Sequence, residues 1–162
     1  MRNVETASGG HPFASKTGLA VTPSRPKFRT LMTIEHISDT ARWVAVYRAM
    51  ETDRPDAIFR DPFARKLAGE KGAQIVSTIK RGRQMAWAMI VRTAVFDEFL
   101  MDREKAGADL VINHAAGLDA RPWRLDLPPN LRWVDVDLPR ILNHKHGLLG
   151  DVEPRCRYEP VR

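Results

Sequence analysis

The chain has 162 residues, 43% of them hydrophobic and 28% charged, with a formal net charge of +6. That length suits one domain, no apolar run approaches the roughly 18 residues of a membrane-spanning helix, and a lone cysteine, Cys156, excludes an internal disulfide and points to a reducing compartment, the cytoplasm. The positive charge does not describe the body: residues 1–32 carry Arg2, Lys16, Arg25, Lys27 and Arg29 against Glu5, so a nucleic-acid binder ranks last among the function classes.

In chain order, residues 1–31 are rich in Gly, Pro, Ser and Thr and show no periodicity, which predicts a disordered leader. Met32 is then a candidate translation start. From Ser38 the pattern turns helical. Ser38 or Asp39 can cap a helix running to about Met50, with Trp43, Tyr47 and Met50 on one stripe, and Pro55 breaks it. Asp61-Pro62 is expected to open a second helix in which Phe63 and Leu67 share a face and Gly69 marks the end. A short helix is expected over 73–80. The longest helix is predicted over 83–104, with Met85, Met89, Phe96 and Leu100 as its apolar stripe and Arg92 on that same stripe. An arginine there needs a partner, either a protein carboxylate, water reached by snorkelling, or an anionic ligand group.

Gly107 precedes a short apolar run, Leu110-Val111-Ile112, which reads as a buried strand. The small residues Ala115, Ala116 and Gly117 follow it and let a ligand approach the backbone closely. A polar segment with Asp119 and Arg121 comes next, and the two either pair to shape the turn or contact a ligand. A second strand, Leu131 to Val136, ends on Asp137. An acidic residue at the tip of the second strand, about 20 positions after the turn, can accept both hydroxyls of a ribose; Asp137 can alternatively cap the helix begun by Leu138-Pro139, and the two roles are compatible. Asp135, two residues earlier, points to the same side, and one of the two is either a helper or a solvent-facing group. The helix after Pro139 carries Ile141, Leu142 and Lys145, and Arg157 to Val161 reads as the beginning of a third strand. The histidines suggest no metal centre, since His144 and His146 lie two apart and fall on different helix faces. No CxxC, HExxH, GxSxG or phosphate-loop pattern occurs.

AAGLDARPWRL followed by WVDVDLP, with DTARWVAVYRAMETDRPDAIFRDPFARKLAGEKG and VRTAVFDEFL upstream, resembles the leucine carboxyl methyltransferase-like family of class I S-adenosylmethionine-dependent methyltransferases. The likeness runs from about Asp39 to Arg162. It implies an α/β, Rossmann-like fold in which N-terminal helices precede the first two to three parallel strands of a doubly wound sheet. Residues 32–108 are then a helical segment and 109–162 the first half of a cofactor-binding sheet, so the chain is expected to be truncated.

The implied cofactor is S-adenosyl-L-methionine. Arg92 would take its carboxylate, Ala115 and Gly117 would approach its methionine end, and Asp137 would hold its ribose. Ala115 stands where class I enzymes often have glycine, and His114 stands where an apolar residue is expected. The implied partner is a small-molecule methyl acceptor offering a carboxylate or hydroxyl oxygen. In such a half-sheet the first strand has a bare edge at Val111 and Ile112, so the alternative function is a non-enzymatic module that self-associates or pairs with a partner there.

Overall fold

A computed structural model describes residues 37–78 and 82–162. The expectations for residues 1–36, including the disordered leader and the start at Met32, lie outside the described residues. So do the end of the predicted 73–80 helix and the capping side chain of Ser38.

Three helices come first: α1 (Ile37–Thr52), α2 (Ala64–Thr78) and α3 (Gly82–Lys105). The sheet then alternates with two further helices: β1 (Leu110–His114), α4 (Arg121–Arg124), β2 (Arg132–Val136), α5 (Pro139–Leu149) and β3 (Arg157–Val161). The three strands are ordered β1-β2-β3 and all run parallel, with Leu110 opposite Arg132 and Arg132 opposite Arg157. Parallel neighbours need crossovers, and here the chain supplies them through α4 and α5. Helices packed on a parallel sheet joined in this way make a Rossmann-like arrangement.

The core has two parts, and Tyr158 packs against both. In one, Ala45 of α1 and Leu67 and Ala68 of α2 meet Leu118, Trp123, Ile141, Leu142 and Leu149. In the other, Leu127, Leu131, Trp133 and Cys156 close over Val111, with Leu100 and Met101 of α3 packed against them. Small residues where α1 meets α2 let the two helices approach closely: a Cβ added at Gly72 would lie 3.0 Å from Val46 Cγ2.

Several local expectations change in the fold. Pro62 sits in a turn ahead of α2 rather than in its first turn, and the Asp61 carboxylate accepts the Phe63 amide at 3.1 Å. Gly69 does end a helical piece: its φ of 60° and ψ of −178° break α2 into two stacked segments. The segment carrying Arg121 is a short helix, α4, nucleated by Pro122 in its first turn.

The predicted apolar stripe of α3 is not its buried face. Met85 and Phe96 are exposed, Met89 and Leu100 half-buried, and the side turned inward is Ala86, Thr93 and Asp97. Asp97 wins that place because two arginines of α4 meet it there. Asp135, offered as a helper or a solvent-facing group, is completely buried. At the sheet's near side, β1 pairs only with β2 among the described residues; Val111 is half-buried while Ile112 is 64% exposed.

Candidate functional site

A cavity of about 410 Å³ opens at the carboxyl ends of β1 and β2, roofed by α1 and α3. This is where ligands bind in open α/β sheets, because the crevice there is lined by strand-to-helix loops instead of packed side chains. Its floor is the end of β1 and the turn after it, from Asn113 to Asp119, with Asp137 at the tip of β2. Its walls are Thr40, Ala41 and Val44 from α1 and Met89, Arg92, Thr93 and Phe96 from α3.

The floor is built on two left-handed residues. Ala115 and Gly117 both have φ of +55°. Glycine takes that conformation freely, whereas alanine carries a Cβ close to the following carbonyl. At Gly117 space is short as well, for an added Cβ would stand 3.3 Å from Ala41 Cβ. The turn therefore brings bare backbone to the cavity where side chains would otherwise fill it.

Asp137 meets this turn directly. The Gly117 amide donates to Asp137 Oδ2 at 2.7 Å, and the Leu138 amide donates to Oδ1 at 2.6 Å. No side-chain bond caps α5, whose first turn begins with Pro139. The capping role is thus not the one Asp137 fills. Both carboxylate oxygens are aimed by backbone donors, and each retains a further lone pair for two more hydroxyl donors. Asp137 is half-buried and lines the cavity.

Arg92 also lines the cavity. Its side chain is exposed, its guanidinium lies 5.7 Å from the Phe96 ring centre, and it has no carboxylate partner among the described residues. The four residues singled out in the sequence, Arg92, Ala115, Gly117 and Asp137, therefore line one cavity. His114, at the end of β1, lines it too.

What sequence reasoning missed is the charge lattice behind the turn. Arg48 of α1 donates to Asp61 at 2.8 Å and to the Leu118 carbonyl at 2.6 Å, with its side chain only 10% exposed. Arg121 donates to Asp97 at 2.6 Å and to Asp119 at 2.5 Å, and Arg124 reaches the same Asp97 oxygen at 2.7 Å. The expected Asp119–Arg121 pair is one link of this chain. Burial works against the charge of Asp119, but Arg121, Arg48 and Lys145 outweigh it and hold the carboxyl below the usual aspartate range. Arg121 is likewise depressed by burial and raised on balance by Asp119 and Asp97. One sequence signal was available: Arg48 follows the apolar run Trp43–Tyr47, Arg121 and Arg124 flank Pro122-Trp123, and a buried arginine demands a carboxylate.

Cys156 is buried in the second core cluster, and burial pushes its thiol up to about 11, which suits packing rather than nucleophilic work. Among the described residues no group of three or more potential ligands gathers for a metal ion, and no helix is long and apolar enough to cross a membrane.

A parallel sheet with a glycine turn on its first strand and a carboxylate at the tip of its second defines a Rossmann-like class of protein. Residues 41–161 match the leucine carboxyl methyltransferase family, and the chain belongs to it. It is 37% identical over 124 residues to a Rhodococcus jostii protein named as an S-adenosyl-L-methionine-dependent methyltransferase, covering 73% of this chain and 42% of that one. Two relatives named in the same way, from Mycobacterium marinum and Mycobacteroides abscessus, are 32% and 35% identical. They match 70% and 76% of this chain and 40% and 43% of their own lengths. The chain thus spans less than half the length of the curated relatives it matches.

Proposed function

We propose that this chain binds S-adenosyl-L-methionine in the cavity above β1 and β2, as the donor-binding part of a methyltransferase acting on an oxygen of a small molecule, a carboxylate or a hydroxyl. The observation that carries the reading is the 2.7 Å hydrogen bond from the Gly117 amide to Asp137, at the tips of adjacent parallel strands. That contact sets a carboxylate beside a stretch of bare backbone, the pairing a ribose and its 5′ substituent require.

The residues present fit the group. Asp137 has two lone pairs left for ribose hydroxyls, and the left-handed turn at 115–117 leaves room for the methionine end. Arg92 offers a planar fork for the amino acid carboxylate. S-adenosyl-L-methionine brings a methyl group already activated on a sulfonium, so the protein's task is alignment and exclusion of water rather than acid–base work. Val44, Met89 and Phe96 supply the apolar wall for that task.

Calorimetry with S-adenosyl-L-methionine and its demethylated product tests the reading. Binding is expected for both ligands, and Asp137→Ala is expected to abolish it. Folded protein that gives no heat with either ligand would remove the proposal.

A second reading rests on a separate observation. Leu110 and Ile112 of β1 are 43% and 64% exposed, on a strand paired along one side only among the described residues. An apolar strand edge of this kind recruits another strand, which supports self-association as a non-enzymatic role. Sedimentation velocity checks it: a dimer that dissociates on Ile112→Lys favours this reading, and a monomer at all concentrations removes it.

A further inference from the structure

The most deeply enclosed charge near the cavity has entered so far only as a neighbour of Asp119. Lys145 of α5 is 0% exposed, and it is paired with Asp135 of β2, also 0% exposed. Taking two such charges out of water costs several kcal/mol per ion, and an apolar pair of similar volume often packs as well or better. The pair therefore calls for an account of what it holds.

Its contacts converge on one segment. Asp135 Oδ1 accepts Trp133 Nε1 at 2.8 Å and Asn113 Nδ2 at 3.0 Å, and Oδ2 accepts the Tyr158 hydroxyl at 2.8 Å. Lys145 Nζ lies 5.8 Å from the centre of the Trp123 ring and 5.6 Å from that of Tyr158, and it donates to the Asp119 carbonyl at 3.2 Å. Asn113 Nδ2 is also 3.3 Å from Asp119 Oδ2. One group from each strand (Asn113, Asp135, Tyr158) and one from α5 are thus tied together, and two of them grip Asp119 from the sheet side.

Two residues before Asp119 stands Gly117, whose amide aims Asp137. Within the turn the Asp119 amide donates to the Ala116 carbonyl at 3.1 Å, a single backbone bond that leaves the two left-handed residues to be held by ties from outside. We propose that Lys145, with Asp135 and Asn113, is a positioning residue of the donor site: it fixes Asp119 from below and so sets where the Gly117 amide and the Asp137 carboxylate stand. This rests on the reading of that cavity as a donor site. The advantage is preorganisation, because a turn ordered in advance spares the ligand the cost of ordering it.

The test uses the full chain carrying Asp135→Asn with Lys145→Met, a neutral pair that leaves no charge stranded. Amide hydrogen exchange is followed by NMR at Gly117, with Val134 inside β2 as reference, and S-adenosyl-L-methionine affinity is measured alongside. Expected is exchange at least about tenfold faster at Gly117 with Val134 unchanged, the scale of losing one amide hydrogen bond. Affinity should weaken by about tenfold or more. Unchanged exchange at Gly117 overturns the proposal, and so does an equal rise at both amides, which would mark a merely structural pair. Because exchange is read without ligand, it decides the positioning role even if the wild-type chain binds no donor, the result that would sink the donor-site reading alone. If the double variant loses cooperative unfolding, Asn113→Ala decides by the same readout: faster exchange at Gly117 supports the proposal and no change overturns it.

Discussion

Ala115 sets up the most direct test of how the turn is built. Its φ is +55°, a conformation that costs an L-residue roughly 1–2 kcal/mol because Cβ crowds the following carbonyl. Ala115→Gly removes that cost. It also gives the unfolded chain more freedom, a penalty of roughly 0.4–1 kcal/mol. The first effect is the larger, so the variant is expected to be more stable by about 0.5–1 kcal/mol. For a folded body of this size that corresponds to a rise in Tm of roughly 2–5 °C by differential scanning calorimetry.

Gly117→Ala is the counterpart. It places a Cβ on a backbone of the same φ, 3.3 Å from Ala41 Cβ, and should lower stability by about 1 kcal/mol while weakening donor binding. A Tm for Ala115→Gly at or below the wild-type value would refute the reasoning, since it would mean that residue 115 carries no strain to relieve.

Three further outcomes follow from the site. Arg92→Ala, at an exposed side chain without an ion pair among the described residues, should change stability by no more than about 0.5 kcal/mol. The same variant should cut S-adenosyl-L-methionine affinity by about tenfold to a hundredfold in calorimetry, the scale of charge-assisted hydrogen bonds. The Asp119 carboxyl lies below its ordinary value in the folded state, so its contribution to stability is present above the unfolded value of 3.8 and lost as pH falls through the folded one. Urea midpoints of wild type and Asp119→Asn should accordingly differ most near pH 6 and converge on acidification below about pH 4; a gap that stays constant with pH would count against the charge lattice. Cys156, raised from 9.0 to about 11, should react with iodoacetamide at pH 8 about a hundredfold more slowly in the folded protein than after unfolding, as mass spectrometry can follow.

Much of this protein is decided locally. Helix α1 and its end, the break at Gly69, the strands at Leu110 and Arg132, the proline-started helix α5 and the third strand at Arg157 are all legible in the sequence, because periodicity, capping residues and turn chemistry act over a few neighbours. The turn at 115–117 and the acidic residue at 137 were legible for the same reason, as was their meeting, once the two strands were read as parallel neighbours.

Only the tertiary structure decided which side of α3 turns inward, since an aspartate bridged by Arg121 and Arg124 is buried more readily than the exposed Met85 and Phe96 of the apparent stripe. It also decided that Ala115 sits in a glycine conformation and that Asp135 and Lys145 bury each other beneath the turn. Charges cannot be placed from spacing alone. Whether an ionised side chain enters the interior depends on partners 10 to 27 residues away, as with Lys145 and Asp135 or Arg124 and Asp97, and only the fold brings those partners within hydrogen-bond reach.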